Sequence, residues 1–218
     1  MTTRARPLRA KPCGLSARGV RPRPAPRVLA AILAAAVVAG CAGTVTAPDL
    51  GATPSASAST LPPVSPAKGL PGCAALPGDD GRRGGWLGIE FQCLADGSRV
   101  RGNQLRGQPT VAVVWASWCG PCRRELPYVS EFARVQSRVR VVGIGWRDDP
   151  SALQEYARRN ALGFPTLVDR RAEVAGGWNV QTQPAAVFIS AAGKVTQVHR
   201  GELTSTAELR RLADAYAR

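Results

Sequence analysis

Residues Val111–Pro127 read VAVVWASWCGPCRRELP, and this stretch decides the fold. Its first part, 111–117, is an apolar strand of the kind that is buried on both faces of a sheet. A helix is predicted directly after it, over 120–136. Two cysteines, Cys119 and Cys122, stand at the junction and are three residues apart. A Cys-x-x-Cys pair between a strand and a helix is typical of a redox motif.

The start of a helix suits a reactive thiol. Free N–H groups and a partial positive charge at this end stabilise a thiolate at Cys119. Cys122, one turn further along, can attack a mixed disulfide formed at Cys119 and release the product. Pro121 starts the helix and stiffens the loop. Two other interpretations are a purely structural disulfide and half of a zinc site, but zinc needs two further ligands with regular spacing, and His199 is the only histidine.

The rest of the domain alternates strands and helices and ends in a hairpin and a helix. This order predicts an α/β fold, with a mixed central sheet flanked by helices on both faces. The predicted elements are a hairpin in 86–101 turning at Asp96-Gly97, a strand at 139–146, a helix from 148 to about 160, a strand at 163–168, a helix at 170–177, a hairpin of 185–190 and 194–200, and a helix at 204–216.

The amino-terminal residues have the layout of a secretory signal peptide, predicted over 1–40. An apolar run of twelve, VLAAILAAAVVA at 28–39, follows several arginines. It is shorter than the roughly 20 residues that span a bilayer. The run ends in Val-Ala-Gly before Cys41, which resembles a bacterial lipobox with Cys41 as the lipidated residue. A plain signal peptide followed by a chance cysteine is the alternative.

Composition divides the remaining chain into two parts. Residues 41–72 are rich in Ala, Ser, Thr, Pro and Gly, and are predicted to be a disordered tether after the lipidated cysteine. Residues 73–218 are predicted to be the folded domain. The net charge is +14, but eight of the 29 basic residues and none of the 15 acidic ones lie in 1–40. With no basic aromatic face or nucleic-acid motif, the charge fits a weak attraction to anionic lipids better than nucleic-acid binding.

The pattern WCxxCR-x-E-x-P, which begins at Trp118 and ends at Pro127, resembles the TlpA/ResA/DsbE family of bacterial thioredoxin-fold disulfide oxidoreductases. The resemblance covers about 86–218. It implies a thioredoxin fold with an added amino-terminal β-hairpin and a central insertion.

The resemblance also implies roles for residues outside the Cys pair. Thioredoxin has a buried Asp where this chain has Val113, whereas the family places a Glu at the position of Glu125. That carboxylate is expected to take the proton of Cys122, although a surface salt bridge to Arg123 or Arg124 is an alternative.

The substrate is expected to bind beside the motif. The bond between Gln183 and Pro184 is expected to be cis and to face the cysteines, with the backbone of Gln183 offered to an extended substrate strand. Trp118, Gly120 and Pro121 are expected to complete the substrate-binding surface.

From the same resemblance we expect an enzyme that is anchored outside the cytoplasmic membrane and needs no cofactor beyond its redox-active disulfide. The expected substrates are disulfides of exported proteins, for example apocytochrome c before haem attachment. The expected electron donor is a membrane protein of the DsbD/CcdA type. A DsbE-like oxidase of secreted proteins is the alternative direction. No metal and no nucleic-acid partner is expected.

Cys73 and Cys93 are interpreted as a structural disulfide, because an even number of cysteines suits an oxidising compartment. A second redox pair that passes electrons to Cys122 is the alternative. Two further classes of function are a peroxiredoxin-like peroxidase and a copper-delivery module. The first needs a different cysteine loop, and the second needs CxxxC with a distal histidine, for which His199 is the only candidate.

Overall fold

The computed structural model describes residues 62–135 and 138–218. The predicted signal peptide, Cys41 and the first part of the predicted tether lie outside the described residues. Within the described part, none of the helices has the length and apolar character needed to cross a membrane.

Among the described residues, seven strands form one mixed sheet in the order β2-β1-β5-β4-β3-β6-β7. Strand β3 is parallel to β4, and β4 is parallel to β5, whereas the other neighbouring pairs are antiparallel. The strands are β1 Glu90–Cys93, β2 Arg99–Arg101, β3 Thr110–Trp115, β4 Arg140–Trp146, β5 Thr166–Asp169, β6 Ala185–Ile189 and β7 Val195–Arg200. The prediction of an α/β fold with a mixed sheet is confirmed.

In the part of the chain that the structure describes, four α-helices pack on the sheet. They are α1 Gly120–Val135, α2 Pro150–Arg159, α3 Val174–Trp178 and α4 Thr206–Tyr216. Buried side chains of α1, α2 and α4 share one apolar cluster with alternate residues of β3. Trp178 of α3 belongs to the cluster on the other face. The insertion between β4 and β6 supplies α2, β5 and α3, and the hairpin β1–β2 precedes β3.

Strand β3 lies at the centre of the sheet and is buried along its whole length. It pairs with β4 on one edge and with β6 on the other. Since successive side chains of a strand point to opposite faces, both faces of β3 must be covered to bury all of them. The apolar run at 111–117 therefore produces the strand that it predicts, and β3 ends two residues earlier, at Trp115.

The first hairpin is shorter than predicted. Residues Gly85–Gly88 form a 3-10 helix, and β1 begins only at Glu90. The helix places Trp86 edge-on against Trp178, with the ring centroids 5.4 Å apart. The turn lies at the predicted place: Gly97 has φ 74° and donates its N–H to the carbonyl of Cys93.

Three predicted helices begin later than expected. The helix predicted from 148 begins at Pro150, after its cap Asp149. The helix predicted over 170–177 begins at Val174, because both carboxylate oxygens of Asp169 accept the N–H groups of Glu173 and Val174 at its start. The helix predicted from 204 begins after Ser205, whose hydroxyl accepts the N–H of Glu208 at 3.1 Å.

Residues 62–72 were predicted as part of the disordered tether, but the structure places them against the domain. Val64 is buried in the core. The N–H of Ala67 donates to the carbonyl of Ala95, and the amide of Gln154 donates to the carbonyl of Ser65, both at 2.7 Å. One buried side chain and a few backbone hydrogen bonds suffice to fix such a segment, which composition alone does not reveal. The packed part of the chain therefore begins before residue 73.

The structure joins Cys73 to Cys93, which are 20 positions apart. Both cysteines are buried in the apolar cluster on the face of the sheet that carries α3. The bond ties the segment before the first hairpin to the end of β1.

Replacing both Cys73 and Cys93 with alanine should lower the free energy of unfolding by about 3 kcal/mol, because the cross-link restricts a loop of this length in the unfolded chain. Urea denaturation followed by tryptophan fluorescence measures the loss. The control is the double variant Cys119→Ala/Cys122→Ala, whose cross-link closes a much shorter loop and should lose less. Equal losses in the two double variants would contradict the expectation.

Candidate redox site

Cys119 and Cys122 form a disulfide between the end of β3 and the start of α1. A tight turn leads into the helix. In this turn the N–H of Cys119 donates to the carbonyl of Ala116 at 3.2 Å. The N–H of Cys122 donates to Sγ of Cys119, also at 3.2 Å. A backbone donor thus points at this sulfur, as a thiolate there would require.

The two cysteine residues differ in their access to solvent. Cys119 is 5% exposed, whereas Cys122 is completely buried. An incoming disulfide can therefore reach only Cys119, and Cys122 can react only with a group already attached there.

The loop before the Cys pair is hydrogen-bonded to Asp148, a contact that the sequence did not predict. The backbone N–H of Ser117 donates to Oδ2 of Asp148 at 2.6 Å, and the other oxygen of Asp148 accepts the N–H of Asp149. The sequence suggested for Asp148 and Asp149 only the start of α2. The contact joins residues 31 positions apart, and no local pattern signals it.

A groove of about 460 Å³ lies beside the cysteines. Trp118 lines it and is 60% exposed, which is unusual for so large an apolar side chain. Gly120, Pro121 and Gln183 also line it, and the bond from Gln183 to Pro184 is cis. The structure thus brings Trp118, Gly120, Pro121 and Gln183 of the predicted substrate-binding residues to one groove, whereas Pro184 does not line it.

Arg147 is a groove residue that the sequence reasoning missed. It follows β4 directly and has φ 53°, in the left-handed region that arginine rarely adopts. Its guanidinium lies over the ring of Trp146, 4.7 Å from the centroid.

Glu125 is a buried carboxylate on α1 and is only 1% exposed. Since it follows Cys122 by three positions, the two side chains share one face of the helix. Oε2 of Glu125 accepts the N–H of Leu203 at 2.8 Å, while Oε1 has no hydrogen-bond partner among the described residues. Burial raises the pKa of Glu125 to about 8, against the opposing effect of the Leu203 N–H and with a further contribution from Glu202 and Glu208.

The alternative of a surface salt bridge for Glu125 does not match the structure. Arg124 forms an ion pair with Glu202 instead. The guanidinium of Arg123 lies over the ring of Tyr156, 5.4 Å from the centroid. Val113, where thioredoxin has its buried Asp, is completely buried and belongs to the same apolar cluster as Cys122. The acidic group of this site is therefore carried by the helix.

No cluster of three or more His, Cys, Asp or Glu residues suited to a metal ion occurs in the described ranges. His199 lies on β7, opposite Ala186 of β6.

A protein-family model with the description Redoxin matches residues 59–216. The chain belongs to the Redoxin family. Among curated relatives, the thiol-disulfide oxidoreductase ResA of Geobacillus kaustophilus is 29% identical over 110 residues, which cover 50% of this chain and 63% of ResA. The soluble secreted antigen MPT53 of Mycobacterium tuberculosis is 36% identical over 103 residues, which cover 47% of this chain and 60% of MPT53. The chain thus spans less than two thirds of the length of either relative.

Solved structures give the same result for the fold. MTB DsbF, in its mixed oxidized and reduced forms, is 34% identical and has a TM-score of 0.55, covering 60% of this chain and 96% of DsbF. A secreted Mycobacterium tuberculosis disulfide oxidoreductase homologous to E. coli DsbE is 31% identical, with a TM-score of 0.54, covering 59% and 96% of the two chains. The predicted resemblance to the TlpA/ResA/DsbE type and the thioredoxin fold are confirmed.

The raised pKa of Glu125 should make the stability depend on pH. The ordinary value is 4.5, and the folded value is about 8. Between these limits the unfolded carboxyl has lost its proton while the folded one keeps it. Stability should therefore fall as the pH rises from 4.5 to 8, by at most about 1.4 kcal/mol per pH unit, and level off above.

Urea denaturation of the wild type and of Glu125→Gln at pH 5, 6, 7 and 8 tests this expectation. The stability of the variant relative to the wild type should rise steadily across this range. Glu131→Gln, which alters an exposed carboxylate on the same helix, should retain the pH dependence that belongs to Glu125. If the free energies of unfolding of the wild type and Glu125→Gln differed by the same amount at every pH, Glu125 would not be the source of the pH dependence.

Proposed function

We propose that this protein is a thiol–disulfide oxidoreductase that exchanges dithiols and disulfides with exported proteins. The observation that carries the proposal is the unequal burial of the two active-site cysteines: Cys119 lines the groove, whereas Cys122 is completely buried and does not line it. Two sulfurs in this arrangement support an ordered reaction in which attack and release use different cysteines. The names of the relatives agree with this chemistry.

In the reducing direction the reaction begins with both cysteines reduced. The thiolate of Cys119 attacks one sulfur of the substrate disulfide. The S–S bond of the substrate breaks, a mixed disulfide forms at Cys119, and the departing thiolate takes up a proton. The N–H of Cys122, which points at Sγ of Cys119, favours the attacking thiolate.

The second step releases the substrate. Cys122 loses its proton and attacks Sγ of Cys119, so the mixed disulfide breaks and the bond between Cys119 and Cys122 forms. The departing substrate thiolate takes up a proton. The substrate leaves with two thiols, and the enzyme has given up two electrons. The oxidising direction is the reverse of these steps.

We propose that Glu125 takes the proton of Cys122. A free thiol has a pKa of about 8.5, and the pKa of Glu125 is raised to about 8. Raising the pKa of the carboxyl group towards the range of a thiol lowers the free-energy cost of taking a proton from one. In its ionised form Glu125 can accept this proton at Oε1, which has no hydrogen-bond partner among the described residues.

We propose that an extended segment of the substrate binds along the groove. The backbone of Gln183 before Pro184 would pair with this segment, and Trp118, Gly120 and Pro121 would contact it around the reacting sulfur. The reaction needs no cofactor, because the electrons are held by the pair Cys119–Cys122. The pair Cys73–Cys93 would serve as scaffold, which its burial supports.

We propose that the protein works outside the cytoplasm, on the membrane surface, after signal-peptide removal and lipidation of Cys41. Two of the relatives are described as secreted. A membrane donor of the DsbD/CcdA type would reduce the active site, and apocytochrome c is one candidate substrate.

The direction of electron flow follows from the reduction potential of the pair Cys119–Cys122. We expect a value near or below about −250 mV, as in a reductase. Equilibration of the purified protein in glutathione or dithiothreitol buffers, followed by thiol trapping, measures it. A value near about −120 mV would assign the protein to oxidases of secreted proteins instead.

A Cys122→Ser variant should trap its substrates, because the group that resolves the mixed disulfide is missing. Expressed in the source bacterium, it should accumulate covalent complexes through Cys119 that are released by dithiothreitol. The double variant Cys119→Ser/Cys122→Ser is the control and should form none. Absence of complexes in the single variant would count against the exchange mechanism, and recovery of apocytochrome c would identify the substrate.

A further inference from the structure

Arg147 is the only charged residue among the described residues that line the groove beside Cys119. The other residues of the groove include Trp118, Thr182 and Gln183, and none of them carries a charge. A peptide bound in this groove would therefore meet one positive charge and no negative one.

The backbone and the neighbouring ring hold Arg147 in place. Its φ of 53° lies in the left-handed region, a conformation that costs a non-glycine residue free energy. The N–H of Arg147 donates to the carbonyl of Asp169 at 3.1 Å. The guanidinium is 4.7 Å from the ring centroid of Trp146, which is itself buried. These contacts position the charge without neutralising it.

The carboxylates closest in the sequence are engaged elsewhere. Asp148 accepts the N–H of Ser117, and Asp149 accepts the N–H of Ser151 at the start of α2. Burial raises the pKa of Asp169 against the smaller opposing effect of Arg147, and its carboxylate accepts two N–H groups at the start of α3. Arg147 forms no salt bridge with any described carboxylate. Its guanidinium is exposed and can pair with an acidic group of a ligand.

We propose that Arg147 selects substrates that carry Asp or Glu within a few residues of the reacting cysteine. This inference rests on the proposed function and names its substrate class. The mixed disulfide fixes the substrate cysteine at Cys119, and an extended peptide advances about 3.3 Å per residue. A side chain a few positions from that cysteine therefore passes along the groove that Arg147 lines.

The test uses three peptides with one disulfide each, identical except for Glu, Gln or Lys two positions from a cysteine. Rates of exchange with the reduced purified protein are followed by tryptophan fluorescence. Each rate is divided by the rate of the same peptide with dithiothreitol, which removes the intrinsic effect of the charge on the disulfide. The wild type should prefer the Glu peptide to the Gln peptide by about fivefold, and should disfavour the Lys peptide.

Variants of Arg147 separate charge recognition from general damage. Arg147→Gln should abolish the preference for the Glu peptide, Arg147→Glu should reverse it in favour of Lys, and Arg147→Lys should retain part of it. The matched control, Arg159→Gln, removes one positive charge at the far end of α2, about 15 Å of helix away, and should keep the wild-type ratio.

Two outcomes would overturn the inference, and they differ from each other. If the wild type and Arg147→Gln show the same ratio of Glu to Gln rates, the selection by Arg147 is refuted while the exchange activity stands. If reduced wild type exchanges with none of the three peptides, the proposed function itself fails and the inference fails with it.

Discussion

The position of the redox pair depends on the burial and pairing of strand β3. Both edges of this strand are hydrogen-bonded, to β4 and to β6, and both faces are covered by apolar clusters. A shift by one residue would exchange the side chains between the two faces, so the register is firmly determined. The turn after β3 carries Cys119, and α1 starts at the next residue. The core of the protein thus sets where the reactive sulfur reaches the surface.

The helix that carries the pair uses one face both for packing and for chemistry. Cys122, Glu125, Leu126 and Val129 are all buried on α1 and follow the spacing of a single helix face. Burying the carboxyl group among apolar neighbours costs free energy unless it is hydrogen-bonded or holds its proton. Here one oxygen has a backbone donor and the other has none among the described residues. Burying the carboxyl group of Glu125 on the same helix face as Cys122 thus lowers the stability of the fold, but it keeps a proton-binding group at the site.

Much of the fold follows from local sequence patterns. The apolar run of β3, the helix after it and the turn at Gly97 depend on burial and backbone preferences that a short stretch of sequence expresses. The 3-10 helix at Gly85–Gly88 was not predicted, and its Trp86 packs against Trp178, far along the chain. The packing of Val64 likewise depends on a surface that only the folded domain provides.

The site residues likewise differ in whether a local sequence pattern predicts them. Cys119, Cys122 and Glu125 lie in one contiguous motif, so the sequence brings them together directly. The resemblance to a family was needed to connect Gln183 and Pro184 with them. The groove position of Arg147 and the contact of Asp148 with the active-site loop were not predicted, because the pairing of β3 with β4 sets both.

That pairing explains why the loop 147–149 matters so much for the site. Trp115 of β3 lies opposite Gly145 of β4 in parallel register. Two residues further on, the segments that follow β3 and β4 have both left the sheet at the same edge. Ligands of open α/β sheets commonly bind at this edge. Ser117 therefore comes level with the start of the loop, and the carboxylate of Asp148 can accept its N–H. Asp149 caps α2, and Arg147 is left facing the groove. One short connection after β4 thus positions the active-site loop, starts a helix and supplies the charge of the groove.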